Sequence, residues 1–262
     1  MCIRDSAGLA MAPLAWKHRT HLTRRNLPWL LLVGGLGNML PAYFFTTAQT
    51  LIPSSVAGML NALTPMFTLL AGVLLFRSKA QALQVAGIAV GLIGAAVLAF
   101  QPGMGEGLGY DALGGAARVL AATACYGVSV NVIRHKLHAM PAAGVAGLAL
   151  GLMGLPAAAF GLTGDLPALA LAHPDGLRGL LAVVVLAVVG TGMALVAFNR
   201  IIQRTNALFA STVTYIIPVF ATMWGWLDRE PLTHWHLLGG VVVVAGVWLV
   251  NRGGREASEK AL

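Results

Sequence analysis

Charge is scarce in this sequence. Asp, Glu, Lys and Arg together make up 10% of its 262 residues, against about 25% in water-soluble domains. Acids are the scarcest, with nine against seventeen Lys and Arg. So few ionised groups cannot clothe a surface in water, which excludes an ordinary soluble domain. Cysteine is scarce as well. Cys2 lies in a polar leader and Cys125 inside an apolar run, and no disulfide framework can be built from them. There is no Gly-x4-Gly-Lys-Ser/Thr loop to cradle phosphates, which argues against an ATP-driven pump. His234 and His236 flank Trp235, but no Cys, Asp or Glu stands at ligand spacing from them. The serines and histidines form no nucleophile motif. The sequence therefore calls for no cofactor, no metal and no enzymatic site.

What is abundant is apolar. Hydrophobic residues make up 58% of the chain, the mean hydropathy is +0.79, and there are thirty-two glycines. A spanning helix needs about 20 largely apolar residues. Eight runs qualify, at 27–51, 54–76, 81–100, 114–134, 140–163, 177–202, 206–227 and 234–251. They do not alternate as barrel strands would. The expected fold is thus an all-α polytopic membrane protein in the lipid bilayer.

A net charge of +8 would suggest nucleic acid in a soluble protein. Here the basic residues sit in short loops between apolar runs and follow the positive-inside bias instead. With a cytoplasmic start, the inner loops hold Lys17, Arg19, Arg24, Arg25, Arg77, Lys79, Arg134, Lys136, Arg200, Arg204, Arg252, Arg255 and Lys260. The outer loops hold Arg178 and Arg229, with Arg118 at a helix mouth, and six of the nine acids. Both termini are expected in the cytoplasm, at a bacterial plasma membrane. Arg118 is read as snorkelling to the interface, a functional role being the alternative. Met1–Ser6 is unlike the rest and reads as a non-native leader. Ala7–Trp16 is apolar but too short to span. It reads as the end of a helix whose beginning is absent; a signal peptide would carry its basic residues before the apolar stretch, not after it.

The chain also matches itself at an offset of 153. Pro65, Phe67, Gly72 and Gly87 align with Pro218, Phe220, Gly225 and Gly240, while Gly37, Phe45 and Ala57 align with Gly190, Phe198 and Ala210. Five crossings separate the copies, an odd number, so the copies are expected to be inverted relative to one another. Inverted repeats typify secondary transporters, whose substrate lies between the halves near the bilayer midplane. Pro65 and Pro218 fall mid-run, where each removes a backbone hydrogen bond and kinks its helix.

Ser54–Phe100 and Ala207–Val250 both resemble the closing half of an EamA repeat, from the ten-helix group of the drug/metabolite transporter superfamily. Each has an apolar helix around a central Pro, a short turn and a Gly-rich final helix. Glu230, in Arg-Glu-Pro-Leu-Thr, matches the Glu of that turn, whereas Arg77 replaces it in the first copy. The resemblance implies a first repeat at 7–100, lacking its first helix and most of its second. A loop at 101–113, a second repeat at 114–251 and a cytoplasmic tail at 252–262 complete the chain. It also implies an exporter of amino acids, related metabolites or drugs, working by alternating access. A membrane enzyme for lipid or isoprenoid substrates and a non-transporting scaffold are the alternatives. The acids are too dispersed to favour the enzyme.

No Asp or Glu falls at membrane depth, so no carboxylate proton relay is visible. Neutral polar groups at depth must be paired or face a watery cavity. The cavity-lining candidates are Asn61, Thr64, Thr214 and Tyr215, with Asn38, Tyr43, Tyr126 and Asn199 around them. The other reading for each is ordinary hydrogen bonding between helices. Trp224, Trp226 and Trp235 are read as an interfacial belt. Nothing in the residues specifies an oligomeric state.

Overall fold

A computed structural model describes residues 11–100, 110–162, 178, 181–182, 185–205, 207–227, 229–230 and 233–259. The leader Met1–Ser6, most of the 101–113 loop and residues 163–177 lie outside them. Among the described residues every regular element is helical. The chain runs through α1 (Ala12–Lys17), α2 (Leu27–Ala48), α3 (Ser54–Phe76), α4 (Ala82–Ala99), α5 (Tyr110–Lys136) and α6 (Ala142–Leu162). A π turn at Leu186–Met193 leads into α7 (Ala194–Arg204). Next comes α8, in two pieces, Ala207–Ser211 and Ile217–Leu227, joined by the 3-10 turn Thr212–Ile216; α9 (His234–Glu259) closes the chain.

Among the described residues, five helices are long and apolar enough to cross a membrane: α2, α3, α4, α5 over Asp111–Lys136, and α9 over His234–Gly254. The other three apolar runs of the sequence contain α6, the π turn with α7, and the interrupted α8. Within them Ala142–Gly154 and Ile217–Leu227 are apolar but shorter. Large apolar side chains such as Leu74, Ile93, Val241 and Trp248 are exposed on these helices, as lipid-facing groups are.

The interruptions have causes in the sequence. Pro65 has no N–H to offer the carbonyl four residues back, on Asn61, and α3 is broken at Ala62–Leu63. The Thr64 hydroxyl donates to that carbonyl at 2.7 Å and satisfies it. Pro218 follows the 3-10 turn of α8 in the same way. The π turn Gly35–Met39 within α2 contains Gly37, and the π turn Leu186–Met193 contains Gly190. Arg77 and Arg229, each with φ near +60°, end α3 and α8. There the Ser78 N–H reaches the Gly72 carbonyl at 3.0 Å, and the Glu230 N–H the Gly225 carbonyl at 2.8 Å. α4 starts with a capping box, in which the Gln81 N–H donates to the Gln84 side chain at 2.9 Å.

Contacts divide the chain into two units, Met1–Met39 with Val132–Asn206, and Leu40–Asn131 with Ala207–Leu262. In the first, α1 packs on α6, where a Cβ on Gly147 would lie 2.9 Å from the Ala15 nitrogen. The Gln203 side-chain nitrogen donates to the Met140 carbonyl at 2.8 Å, and Arg134 donates to the Gln203 carbonyl at 2.9 Å. In the second, α4 and α9 meet backbone to backbone. A Cβ on Gly87 would stand 2.6 Å from the Gly246 oxygen, and one on Gly94 2.6 Å from the Val243 nitrogen. Small residues of this kind let helices approach closely in lipid, where van der Waals packing replaces the hydrophobic drive. Leu60, Leu63, Leu98, Val243 and Val247 are fully buried beside that contact.

Candidate functional site

The second unit contains a cavity of about 270 Å3 between α3 and α8, bounded by the end of α2. Phe45 comes from α2 and Gln49 from the turn just after it, Ser54, Ala57, Gly58 and Asn61 from α3, and Ile217, Ala221 and Trp224 from α8. The two long walls are therefore the helices that carry Pro65 and Pro218. Gly58 fits against Ala221 with no room for a side chain of its own.

Asn61 supplies the polar group at depth. It is the last residue of the first segment of α3, directly before the break that Pro65 imposes. Its side-chain oxygen takes only a long contact, 3.3 Å, from the Thr64 hydroxyl. That hydroxyl is committed to the Asn61 backbone carbonyl, so the Asn61 amide keeps donor and acceptor capacity for a ligand. Asn131 has a fastening role instead. Its amide donates to the Thr68 and Gly127 carbonyls, both at 2.8 Å, and ties α5 to α3.

At the other end of α3, Glu230 closes the helix N-terminus. One carboxylate oxygen accepts from the Ser54 N–H at 2.8 Å and the Ser54 hydroxyl at 2.7 Å; the other accepts from the Ser55 N–H at 3.2 Å and hydroxyl at 2.6 Å. Partial burial pushes this carboxyl's pKa up. The four hydrogen bonds outweigh it and hold the group below its ordinary value. A negative charge at a helix N-terminus is favoured further by the helix dipole. Gly225 leaves room for it, since a Cβ there would lie 2.5 Å from the carboxylate. At the offset of 153, Glu230 corresponds to Arg77, and Ser54 and Ser55 correspond to Ala207 and Leu208. Both partners of the clamp are thus absent from the matching positions. His236, beside it, accepts the Thr233 N–H on Nδ1 at 3.0 Å and caps α9.

The candidates from the sequence fall into distinct places. Asn61 lines the cavity, and Thr64 stands next to it, buried. Tyr126 packs behind the lining residue Phe45, with ring centroids 6.3 Å apart. Thr214 is half-buried in the 3-10 turn of α8, and the side chain of Tyr215 lies outside the described ones. Tyr43 points outward, 63% exposed. Asn38 and Asn199 belong to the other unit, Asn38 buried in the π turn of α2. The Asn199 amide nitrogen is 3.5 Å from the Ala142 carbonyl, and its side-chain oxygen is buried without a partner. Sequence reasoning missed Gln49 and Trp224 as lining residues. Gln49 was legible as a polar group inside the apolar run 27–51, whereas Trp224 resembled any interfacial tryptophan.

Comparison with known proteins agrees with this architecture. A crystal structure of a protein aligns at a TM-score of 0.63 over 98% of this chain and 88% of that one, at 19% identity, and so shares the fold. A curated relative from Streptantibioticus cattleyicolor, described as a "Probable terminal-alkyne amino-acid exporter", is 26% identical over 231 residues, 87% of this chain and 74% of the relative. The EamA-like transporter family matches residues 6–100 and again residues 113–252. With helices that can cross a membrane and a family match over most of its length, the chain is a multi-pass membrane protein belonging to the EamA-like transporter family.

Proposed function

We propose that the protein is a secondary exporter of small metabolites, amino acids or close relatives of them, and that the cavity between α3 and α8 is part of its substrate pocket. The observation that carries this reading is the cavity itself. It lies between the two proline-broken helices and sets the under-committed amide of Asn61, with Gln49 and Ser54, among apolar lining residues. Its volume of about 270 Å3 falls just below the ~300–1,000 Å3 of pockets for drug-sized ligands. An amino-acid-sized substrate suits it better than a drug, in keeping with the description of the relative from S. cattleyicolor.

The transport cycle proposed is alternating access between two inverted repeats, at 7–100 and 114–251 in an eight-crossing chain whose ends are both in the cytoplasm of a bacterium. Recurring local geometry supports the duplication. At an offset of 153, Gly37 and Gly190 both lie in π turns, breaks precede both Pro65 and Pro218, and Gly72 and Gly225 both accept from the turn that ends their helix. π turns and proline breaks are where helices bend, and a bundle that opens alternately needs bends in matching places. Asn38, Tyr43, Thr64, Tyr126, Asn199, Thr214 and Tyr215 are proposed to meet substrate or water during the cycle.

The test is efflux of a radiolabelled amino-acid panel from proteoliposomes. Asn61→Ala and Trp224→Ala are compared with the unaltered protein at equal incorporation. Loss of efflux for a panel member in both variants is expected. Undiminished efflux in both removes the cavity from the transport path.

A further inference from the structure

The first unit holds a second, smaller cavity that the transport reading does not use. It has a volume of about 100 Å3 and is lined by His21, Asn26, Lys136, Leu137, Ala139 and Met140. That is well above the ~10–15 Å3 that admits one water and well below a pocket for a drug-sized molecule, ~300 Å3 upward. It suits a small ion or one group of a larger molecule.

Its chemistry is one-sided. Lys17, Arg19, Arg24 and Arg25 surround the segment that carries His21 and Asn26, and Arg134 precedes Lys136. Among the described residues of this unit there is no Asp or Glu to neutralise them. Backbone acceptors at the corner are already engaged, because the Gln203 side chain donates to the Met140 carbonyl at 2.8 Å and approaches that of Leu137 at 3.5 Å. The Asn26 amide donates to the His21 carbonyl at 3.0 Å, which holds the two lining residues together. What faces the cavity is a cation with polar neighbours, an arrangement for an anion.

Its position in the fold identifies the anion's source. The Lys136 ammonium lies 5.3 Å from the centre of the Trp29 ring, and Arg19 lies 4.5 Å from that of Trp16. Paired aromatics and cations mark the level of lipid headgroups. One residue past Trp29, the side chain of Leu30 is fully buried. Basic pockets between helices at this level receive phosphate-bearing headgroups. We propose that this corner binds the phosphate of an anionic phospholipid, with Lys136 as its charge partner and His21 and Asn26 beside it.

The experiment is native mass spectrometry of the full chain, equilibrated in detergent with equal phosphatidylglycerol and phosphatidylcholine. Preferential retention of phosphatidylglycerol is expected. Lys136→Gln should reduce that preference about five-fold, the factor for one basic residue near an anionic surface, while Lys136→Arg should keep it. Arg252→Gln is the control, because Arg252 also sits 5.3 Å from a tryptophan ring but outside this cavity. An equal loss in Arg252→Gln, or no preference in the unaltered protein, overturns the proposal. A second arm compares melting with millimolar inorganic phosphate and with short-chain phosphatidylglycerol. Stabilisation by the lipid alone, lost in Lys136→Gln, supports the headgroup. Equal stabilisation by phosphate overturns the lipid as source and leaves a phosphate site.

Discussion

Replacing Glu230 with alanine strips four donors from one acceptor, two backbone N–H groups and two hydroxyls at the start of α3. A hydrogen bond to a charged group contributes about 1.5–3 kcal/mol when the alternative is an unmet donor. Glu230 is only half-buried, so water takes over part of the loss. Losing a helix N-cap costs about 0.5–2 kcal/mol, and losing the charge–dipole attraction a further ~0.3–1 kcal/mol. Together these give about 0.8–3 kcal/mol for Glu230→Ala. At about 2–4 °C per kcal/mol for a chain of this size, melting falls by about 2–12 °C. Glu230→Gln keeps one acceptor oxygen and should lose about half as much. The pH dependence has a definite sign. The native carboxyl titrates below its ordinary value of 4.5, so its contribution is complete above that value and disappears as pH falls through the lowered native one. Fluorescence-detected size-exclusion melting in detergent, from pH 7 down to about pH 3, measures both effects. The gap between the unaltered protein and Glu230→Gln should narrow in acid. An alanine variant that melts within about 1 °C of the unaltered protein at neutral pH, below the smallest shift worked out above, would refute the reasoning. So would a gap that acid leaves untouched.

Gly246→Leu should force α4 and α9 apart, since even a Cβ at 246 meets the Gly87 oxygen at 2.7 Å. Overpacking of this kind costs about 1–3 kcal/mol or more, and folded protein recovered from membranes should drop, while Val244→Leu on the exposed side of α9 should not change it. Thr64→Val removes the hydroxyl that satisfies the Asn61 carbonyl. Melting should register a loss of about 1–3 kcal/mol for that buried acceptor, and efflux should fall as Asn61 loses its support. Inverted repeats predict opposite aqueous exposure for the two helix-ending turns. Single cysteines at 78 and 229, in a background with Cys2 and Cys125 replaced by serine, should react with an impermeant thiol reagent from opposite faces of the membrane; labelling from one face sinks the inversion.

The helical membrane character of the chain was legible in its composition, because lipid replaces charged surface and leaves long apolar runs. Less legible was where those runs break. A hydropathy window sums side chains and sees no break; Pro65 itself marked the one at Ala62–Leu63, whereas no residue type announced that Gly35–Met39 widens into a π turn. Asn61 could be singled out because it stands four residues before a proline, a local relation. Glu230 was legible only as the mark of a turn, because its partners Ser54 and Ser55 lie far away in sequence and no spacing rule connects them. Gln49 and Trp224 join the cavity for the same reason, through packing of α2 and α8 against α3. The close contact of α4 with α9 left a trace in Gly87, yet a glycine alone does not name its partner: Gly240, singled out beside it, packs against Met59 of α3 instead.

The distance along the chain between Ser54 and Glu230 also bears on how the protein is made. The acceptor is 176 residues downstream of the amides it serves. At about 5–20 residues per second, α3 leaves the ribosome about 10–35 s before its cap is synthesised. Through that interval its leading amides must be met by water, lipid headgroups or the insertion machinery. A ribosome halted anywhere short of residue 230 releases a chain whose first proline-broken helix is still open at one end.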